Sequence, residues 1–293
     1  MTEPFFGRTI VASVTPFDEN LDLDLTRAQE LAERFIEAGI DTIAVCPTTG
    51  ECPTVFYDDK IRLFEAVLEA VDGRCKTIAY VGDNCTQDTV DFARKVEPMG
   101  FDGYLCVVPY YNKPPQEGIY QHYSAIADAV ELPIMLYNIP GRSVINMTAE
   151  TTLRLARGMK NVIGIKEASG DIEQMQHILD RRPEGFIVLS GDDGMTLELM
   201  RRGGDGVISV AANAFPKRFM ECVNYAKAGE FDRAEKAYEC LDEAVHALFE
   251  EGNPVGVKCA LAEMGIIGPT MRLPLVEGSG ALREKFRKLI AEY

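Results

Sequence analysis

The stretch NVIGIKEASG, residues 161–170, combines the pattern of a buried β-strand with one ionisable group. The residues before Lys166 are mostly Val and Ile, which is typical of a parallel strand covered on both faces. By the two-residue alternation of a strand, Lys166 shares a face with Val162 and Gly164, and the glycine leaves space for an inward amine. Burial disfavours an ammonium ion and lowers the pKa of a lysine, as a nucleophilic amine requires. A solvated lysine, or one paired with a carboxylate, is the alternative interpretation.

Seven other short apolar runs alternate with amphipathic stretches such as LTRAQELAERFIEAG, whose apolar residues recur every three or four positions. These runs cover residues 9–17, 41–47, 76–82, 103–109, 133–140, 186–193 and 206–214. Eight alternating units predict a (β/α)₈ TIM barrel, an α/β fold, over residues 1–229. The strand pattern stops after Ala214. The sequence there predicts the eighth barrel helix and two or three more, broken near residues 251–254 and 271–280, with residues 230–293 forming a C-terminal helical extension.

Composition excludes several classes of partner. The 293 residues carry a formal net charge of −16 without a local basic cluster, which opposes binding to nucleic acid or to an anionic membrane surface. The first residues lack the pattern of a secretory signal, and no run approaches the ~20 apolar residues of a membrane span. The eight cysteines are scattered without a C-x-x-C pair, as expected for buried thiols in a reducing compartment. We therefore expect a soluble, cytoplasmic protein.

The distribution of potential ligands argues against a metal or a nucleotide cofactor. His122, His177 and His246 all fall within predicted helices and not at strand ends, where a metal-dependent barrel would hold its ligands. Asp192 and Asp193 are interpreted as capping or hydrogen-bonding groups. No Walker-type loop or strand-led G-x-G-x-x-G occurs. The sequence predicts neither a metal nor a cofactor.

Hydroxyl side chains follow three other predicted strands. Tyr137 closes the fifth strand, Tyr110 and Tyr111 follow the fourth, and Thr48 and Thr49 in the segment TTGE follow the second. Condensation of a carbonyl substrate with an amine needs protons moved on and off oxygen, and hydroxyl groups can relay them. Hydroxyls and backbone N–H groups of TTGE could also hold a carboxylate. The competing interpretation is that the tyrosines pack in the core and that TTG is only a turn.

Together the motifs resemble a known enzyme superfamily. TTGE, VVPYYNKPPQEGIYQHY, LYNIPGR, GIKEASG, LSGDD and GVISV occur in an order similar to that of the dihydrodipicolinate synthase and N-acetylneuraminate lyase superfamily of class I aldolases. The resemblance covers nearly the whole chain. It implies that Lys166 forms a Schiff base with a keto acid.

Arg142 in YNIPGR points to the dihydrodipicolinate synthase branch, in which an arginine there receives the carboxylate of aspartate semialdehyde. A guanidinium fork suits a carboxylate. The resemblance then implies that pyruvate forms an imine with Lys166 and attacks aspartate 4-semialdehyde as an enamine. N-acetylneuraminate lyase and 2-keto-3-deoxy sugar acid aldolase are the sibling alternatives. A barrel that binds ligands without turnover is a third, although Lys166 and Tyr137 are both present.

The resemblance also implies roles for other residues. Tyr137, Thr48 and Tyr111 would form a proton relay, with Tyr111 reaching in from a neighbouring subunit of a homo-oligomer. Thr49 and the backbone of Ile208 would hold pyruvate, and Gly191 would line the pocket. A cleft for the end product lysine, found in feedback-inhibited relatives, would correspond to Cys52, Pro53, Tyr57, Lys60, Asn84, Asp88 and Tyr110.

Several positions depart from the family pattern. Pro47 replaces a usual Gly, Cys52 a smaller residue, and Asp59 a Glu or Gln. Pro47 removes a backbone donor next to the threonines. In the lysine cleft, sensitive relatives often have histidine at the positions of Tyr57 and Lys60. A fixed cation at residue 60 would repel the ammonium of a lysine ligand, so we expect weak or absent inhibition by lysine.

Overall fold

The computed structural model describes residues 3–291, whose eight parallel strands form a closed barrel in chain order. The predicted (β/α)₈ fold is therefore confirmed. The strands are β1 (Thr9–Ala12), β2 (Thr42–Val45), β3 (Lys76–Tyr80), β4 (Gly103–Val107), β5 (Ile134–Asn138), β6 (Val162–Glu167), β7 (Ile187–Ser190) and β8 (Gly206–Ser209).

Helices alternate with these strands and continue after the last one. The helices are α1 (Leu25–Glu37), α2 (Tyr57–Val71), α3 (Thr86–Val96), α4 (Gln116–Ala129), α5 (Pro140–Ser143), α6 (Ala149–Gly158), α7 (Ile172–Arg181), α8 (Thr196–Arg201), α9 (Ala211–Ala214), α10 (Pro216–Lys227), α11 (Phe231–Glu239), α12 (Asp242–Glu250), α13 (Val255–Glu263) and α14 (Gly280–Ala291). No helix within residues 3–291 is both long and apolar enough to cross a membrane.

The chain forms two compact units. In its described part, the first unit holds residues 3–8 and 77–208 and the second holds residues 9–76 and 209–291. In the first unit the strands from β3 to β8 pair in parallel with their neighbours in sequence. In the second unit β1 pairs in parallel with β2, and α9 to α14 belong to the same unit.

Local sequence explains where these elements begin and how they are covered. Nearly all strand residues are buried, as expected for parallel strands with helices packed over them. Several helices start at side-chain caps: Asp24 before α1, Thr148 before α6, Asp171 before α7 and Ser279 before α14 each accept a backbone N–H of the first turn. Gly39 follows α1 with a φ of +82°, a conformation that glycine adopts without strain.

The structure corrects two expectations. The eighth strand was expected over residues 206–214 but ends at Ser209, and residues 211–214 form α9. Alanine favours a helix there, and the Ser209 hydroxyl accepts the N–H of Ala212. The expectation of two or three helices after the eighth was also wrong, because four follow α10 within the described residues. The breaks before α11 and α12 lack the Pro that marks the other two, residues 251–254 and 271–280.

The division of the chain at residues 229 and 230 into barrel and extension stays a prediction. Its outer limits, residues 1 and 293, lie outside the described residues.

Candidate active site

Lys166 occupies the position expected of a reactive amine. It is the penultimate residue of β6 and is only 3% exposed. Burial lowers the pKa of Lys166 from 10.5 to about 8, while the carboxylate of Asp193 opposes this shift and the Arg142 guanidinium adds to it. At pH 7 a pKa of about 8 leaves about a tenth of the amines neutral, against roughly 0.03% for an ordinary lysine. The environment therefore increases the population of the nucleophilic form by roughly two to three orders of magnitude.

Tyr137 lies beside this amine because β5 and β6 are neighbours in register. Tyr137 pairs with Lys166 across the two strands, and the lysine Nζ is 4.3 Å from the centroid of the tyrosine ring. The tyrosine is 2% exposed. A buried phenol next to a neutral amine can donate a proton to a developing oxyanion or hydroxyl group.

Two residues after β7 shape the space around Lys166. A Cβ atom at Gly191 would lie 2.5 Å from Cβ of Ala168 and 3.1 Å from Cε of Lys166, so a side chain at residue 191 would clash with Ala168 and crowd the lysine. Asp193 is 1% exposed, and its charge acts on the ammonium form of Lys166. Asp192 accepts the N–H of Gly194 as a capping residue, as expected, whereas Asp193 belongs to the electrostatic environment of the amine.

Arg142 lies in α5, a single helical turn directly after β5, and its side chain is exposed. Because its charge lowers the pKa of Lys166, the guanidinium is electrostatically coupled to the amine. An exposed guanidinium beside a buried amine can bind a carboxylate that arrives from solvent.

Tyr111 has a side chain that is largely exposed to solvent. It is 85% exposed and has a φ of +72°, which is uncommon for a residue with a side chain. Tyr110 is half-buried, and its hydroxyl lies 3.4 Å from a carboxylate oxygen of Asp83. The two tyrosines, assigned by the resemblance to a proton relay (Tyr111) and to a lysine cleft (Tyr110), thus lie in different environments.

The remaining predicted residues of the first unit lie at strand ends and in the segment after β3. Ile208 is fully buried near the end of β8. Asn84 is half-buried, and its backbone oxygen accepts a hydrogen bond from Asn112. Asp88 is exposed in the first turn of α3.

In the second unit, Thr48 and Thr49 form a 3₁₀ turn directly after β2, with Thr49 buried. Pro47 precedes the turn at a φ of −74°, which its ring favours, and its carbonyl accepts the N–H of Gly50 at 2.9 Å. The hydroxyl of Thr15 donates to the Gly50 carbonyl at 2.7 Å. Proline is therefore accommodated here, and the turn presents the two threonines in a fixed geometry.

A second buried lysine, Lys258 in α13, forms hydrogen bonds with residues next to this turn. Its Nζ donates to a Glu51 carboxylate oxygen at 2.6 Å and to the Thr15 carbonyl at 3.0 Å, and the residue has no exposed surface. Nearby, the Asn253 amide donates to the Thr49 hydroxyl at 3.1 Å. Because direct hydrogen bonds hold the Lys258 amine in place, we assign it to structure and not to covalent chemistry.

The other residues of the expected lysine cleft surround the start of α2 in the same unit. Cys52 and Lys60 are buried, whereas Pro53 and Tyr57 are exposed. The Lys60 Nζ lies 5.3 Å from the centroid of the Tyr57 ring. Asp59, one of the departures from the family pattern, forms an ion pair with Arg272 at 3.1 Å.

Sequence reasoning missed Asp193, Lys258 and Asn253 as contributors to these sites. Lys258 interrupts the apolar helix VGVKCALAE much as Lys166 interrupts its strand, so the same signal was available for it. Asn253 stands in a segment that was interpreted only as a helix break. Its contact with Thr49 spans 204 positions of the chain, and no local pattern indicates it.

The two histidines of the first unit, His122 and His177, lie within helices and not at strand ends. His122 in α4 is 3% exposed, and burial lowers its pKa to about 4. His177 lies in α7 within 3.3 Å of a Glu150 carboxylate oxygen. Within residues 3–291, no group of three or more His, Cys, Asp or Glu side chains is arranged to hold a metal ion.

Known proteins resemble this chain over nearly its whole length. A sequence model of the Dihydrodipicolinate synthetase family matches residues 5–293. The 4-hydroxy-tetrahydrodipicolinate synthase of Parabacteroides distasonis is 46% identical over 282 residues, which cover 96% of this chain and 95% of that protein. A dihydrodipicolinate synthase from Thermotoga maritima has a TM-score of 0.95 at 40% identity, covering 97% of each chain. One from Cyanidioschyzon merolae, solved with lysine bound, has a TM-score of 0.95 at 41% identity over 99% of this chain and 98% of that one. Because the family model spans residues 5–293 and these relatives match the chain over nearly its whole length, the chain belongs to the dihydrodipicolinate synthetase family.

Proposed function

We propose that this protein condenses pyruvate with L-aspartate 4-semialdehyde to form 4-hydroxy-tetrahydrodipicolinate, a step of lysine and diaminopimelate biosynthesis. The observation that carries the proposal is the buried Lys166, whose pKa of about 8 makes it a nucleophile, in a chain that is 46% identical to a synthase of this name. The reaction is that of a class I aldolase-type lyase.

The first half of the reaction uses Lys166 and Tyr137. The neutral amine attacks the keto carbon of pyruvate, and the carbinolamine loses water to give an imine. Tyr137, whose ring lies 4.3 Å from the amine, donates the proton that the leaving oxygen needs. The Tyr137 phenolate left by that step then removes a methyl proton, so that the C–H electron pair forms the C=C bond of a nucleophilic enamine and the C=N π electrons move onto the nitrogen.

In the second half the enamine attacks the aldehyde carbon of the semialdehyde. The amino group of that substrate then closes the ring on the imine carbon, and the C–N bond to Lys166 breaks. We assign the carboxylate of the semialdehyde to Arg142, because an exposed guanidinium coupled to the amine suits an anionic partner. Gly191 keeps the space beside the lysine side chain open.

We assign proton relay to Thr48 and Tyr111 together with Tyr137, and pyruvate binding to Thr49 and the Ile208 backbone. The fixed 3₁₀ turn of TTGE supports the roles of the threonines, since it orders two hydroxyl groups after β2. Tyr111 is assigned to the site of a second copy in a homo-oligomer, because it is 85% exposed in a strained backbone conformation on its own chain. The expected cytoplasmic location stays a prediction.

We also propose that L-lysine regulates this protein weakly or not at all. A relative from Cyanidioschyzon merolae was solved with lysine bound. In this chain a buried cation, Lys60, lies against Tyr57 among the residues assigned to such a cleft. Its charge disfavours the side-chain ammonium of a lysine ligand.

The substrate assignment is tested by assaying two reactions side by side. We expect the protein to consume pyruvate in the presence of aspartate semialdehyde and to release no pyruvate from N-acetylneuraminate. Pyruvate release from N-acetylneuraminate or from a 2-keto-3-deoxy sugar acid, without turnover of the semialdehyde, would assign the chain to a sibling activity instead.

A further inference from the structure

Arg142 stands in the segment between Asn138 and Met147. Hydrogen-bonded side chains connect the two ends of this segment, and we call them the amide cluster. Its members are Asn138, Asn146, Glu167 and Gln174. They come from the end of β5, the loop after α5, the end of β6 and the first turns of α7, and all lie in the first unit.

Glu167 is the buried anchor of the amide cluster. It has no exposed surface, and burial raises its pKa. Its carboxylate accepts hydrogen bonds from the Asn138 amide at 3.0 and 3.1 Å, from the backbone N–H of Ser169 at 2.8 Å and from the Gln174 amide at 3.0 Å. Since Glu167 follows Lys166 directly in β6, the cluster is built on the same strand as the reactive amine.

Asn138 joins the two ends of the Arg142 segment. Its amide oxygen accepts the backbone N–H of Met147 at 2.9 Å, and its nitrogen donates to the Asn146 side-chain oxygen at 2.7 Å. Between these ends the chain makes the turn of α5 and passes through Val144 at a φ of +67°. A β-branched residue adopts that conformation only when its surroundings impose it, so the segment depends on contacts such as these.

Gln174 links the C-terminal end of this segment, at Asn146 and Met147, to α7 by hydrogen bonds. Its amide nitrogen lies 3.2 Å from the Asn146 side-chain oxygen and 3.3 Å from the Met147 carbonyl, and its oxygen accepts the Asn146 amide at 2.8 Å. Through the amide cluster, a half-buried glutamine on α7 therefore fixes the segment on which Arg142 stands.

We propose that Gln174 is a positioning residue that sets the affinity for the semialdehyde by holding Arg142 in place. This inference rests on the proposed function, because it assigns to Arg142 the carboxylate of that substrate. A guanidinium binds a carboxylate well only in a narrow geometry, so a looser segment lowers affinity without touching the amine chemistry. Gln174 itself contacts neither Lys166 nor Tyr137 in the described hydrogen bonds.

The chain offers a matched control on the same helix. Gln176 is also a half-buried glutamine of α7, but its amide donates to Asp180 on its own helix at 2.7 Å and makes no hydrogen bond to the amide cluster among residues 3–291. We expect Gln174→Ala to raise KM for aspartate semialdehyde about fivefold to tenfold, the effect of losing one or two hydrogen bonds, with kcat and KM for pyruvate changed less than twofold. Gln176→Ala should leave all three constants within twofold of the unsubstituted protein.

A second arm separates positioning from general damage. In an Arg142→Ala background, Gln174→Ala should cause no further rise in KM, because a residue that acts through Arg142 has nothing left to position. An unchanged KM for the semialdehyde in Gln174→Ala, or equal rises in KM for both substrates, would overturn the inference while leaving the proposed function intact. If the unsubstituted protein fails to turn over the semialdehyde at all, the proposed function fails and this inference falls with it.

Discussion

Imine formation should have a pH dependence that reflects the buried environment of Lys166. With a pKa of about 8, the neutral fraction of the amine rises from about 0.09 at pH 7 to about 0.9 at pH 9. The second-order rate of imine formation with pyruvate should therefore rise about tenfold over this interval and level off above it. A lysine with an ordinary pKa of 10.5 would instead gain about 100-fold without a plateau.

Two substitutions move this profile in opposite directions. Asp193 favours the ammonium form, so Asp193→Asn should lower the pKa of Lys166 and shift the acid limb to lower pH. Arg142 disfavours the ammonium form, so Arg142→Ala should raise that pKa and shift the limb to higher pH. Burial is the largest cause of the lowered pKa, and neither substitution removes it. The rate in both variants should therefore still level off at a lower pH than it would for an ordinary lysine.

The assay is a stopped-flow or quench measurement of imine formation at low pyruvate, trapped with borohydride and counted by intact mass, from pH 6 to pH 10. Because the assay contains only the free enzyme and pyruvate, later steps of the reaction do not affect the measured rate. A 100-fold rise between pH 7 and pH 9, or shifts of the two variants in the same direction, would refute the reasoning about the environment of Lys166.

Three further predictions concern the substrates, the assembly and regulation. Arg142→Ala should raise KM for aspartate semialdehyde about 10-fold to 150-fold while imine formation with pyruvate persists, as steady-state kinetics will show; equal damage to both substrates would make the arginine structural. Mixed inactive Tyr111→Phe and Lys166→Ala proteins should regain activity through hybrids with one complete site, and failure despite demonstrated subunit exchange would return Tyr111 to its own chain. L-lysine titrated at saturating pyruvate should inhibit weakly or not at all because of Lys60, so near-complete inhibition below millimolar concentration would show this interpretation of the cleft to be wrong.

Local pattern was sufficient for the barrel, and it singled out the lysine that the structure buries in β6. Eight apolar runs with helical stretches between them indicate the fold, since parallel strands need both the apolar character and the crossover helices. Lys166 stands out because burying a charged group within an apolar strand is unfavourable in free energy unless the group is paired or loses its charge. Strand ends were less predictable: residues 210–214 are mostly apolar, as in a strand, whereas the helix preference of alanine and the hydrogen bonds of Ser209 and Asn213 favour α9.

Contacts between distant parts of the chain were not predictable from pattern. Asp193 looks like a capping residue in LSGDDG, and its effect on Lys166 depends on how β6 and β7 lie side by side. Glu51 and Lys258 are 207 positions apart, so neither signals the other in the sequence. The amide cluster likewise forms only once β5, β6 and α7 are packed, although each member is an ordinary polar residue in its own segment.

The central claim, covalent catalysis by the buried lysine of β6, is tested most directly by borohydride reduction in the presence of pyruvate followed by peptide mapping. Both Lys166 and Lys258 are buried, but the Lys258 amine is held by Glu51 at 2.6 Å. We expect one pyruvyl adduct per chain, on Lys166, and none in the Lys166→Ala protein. An adduct on Lys258 or on a surface lysine, or an unmodified chain at saturating pyruvate, would contradict it.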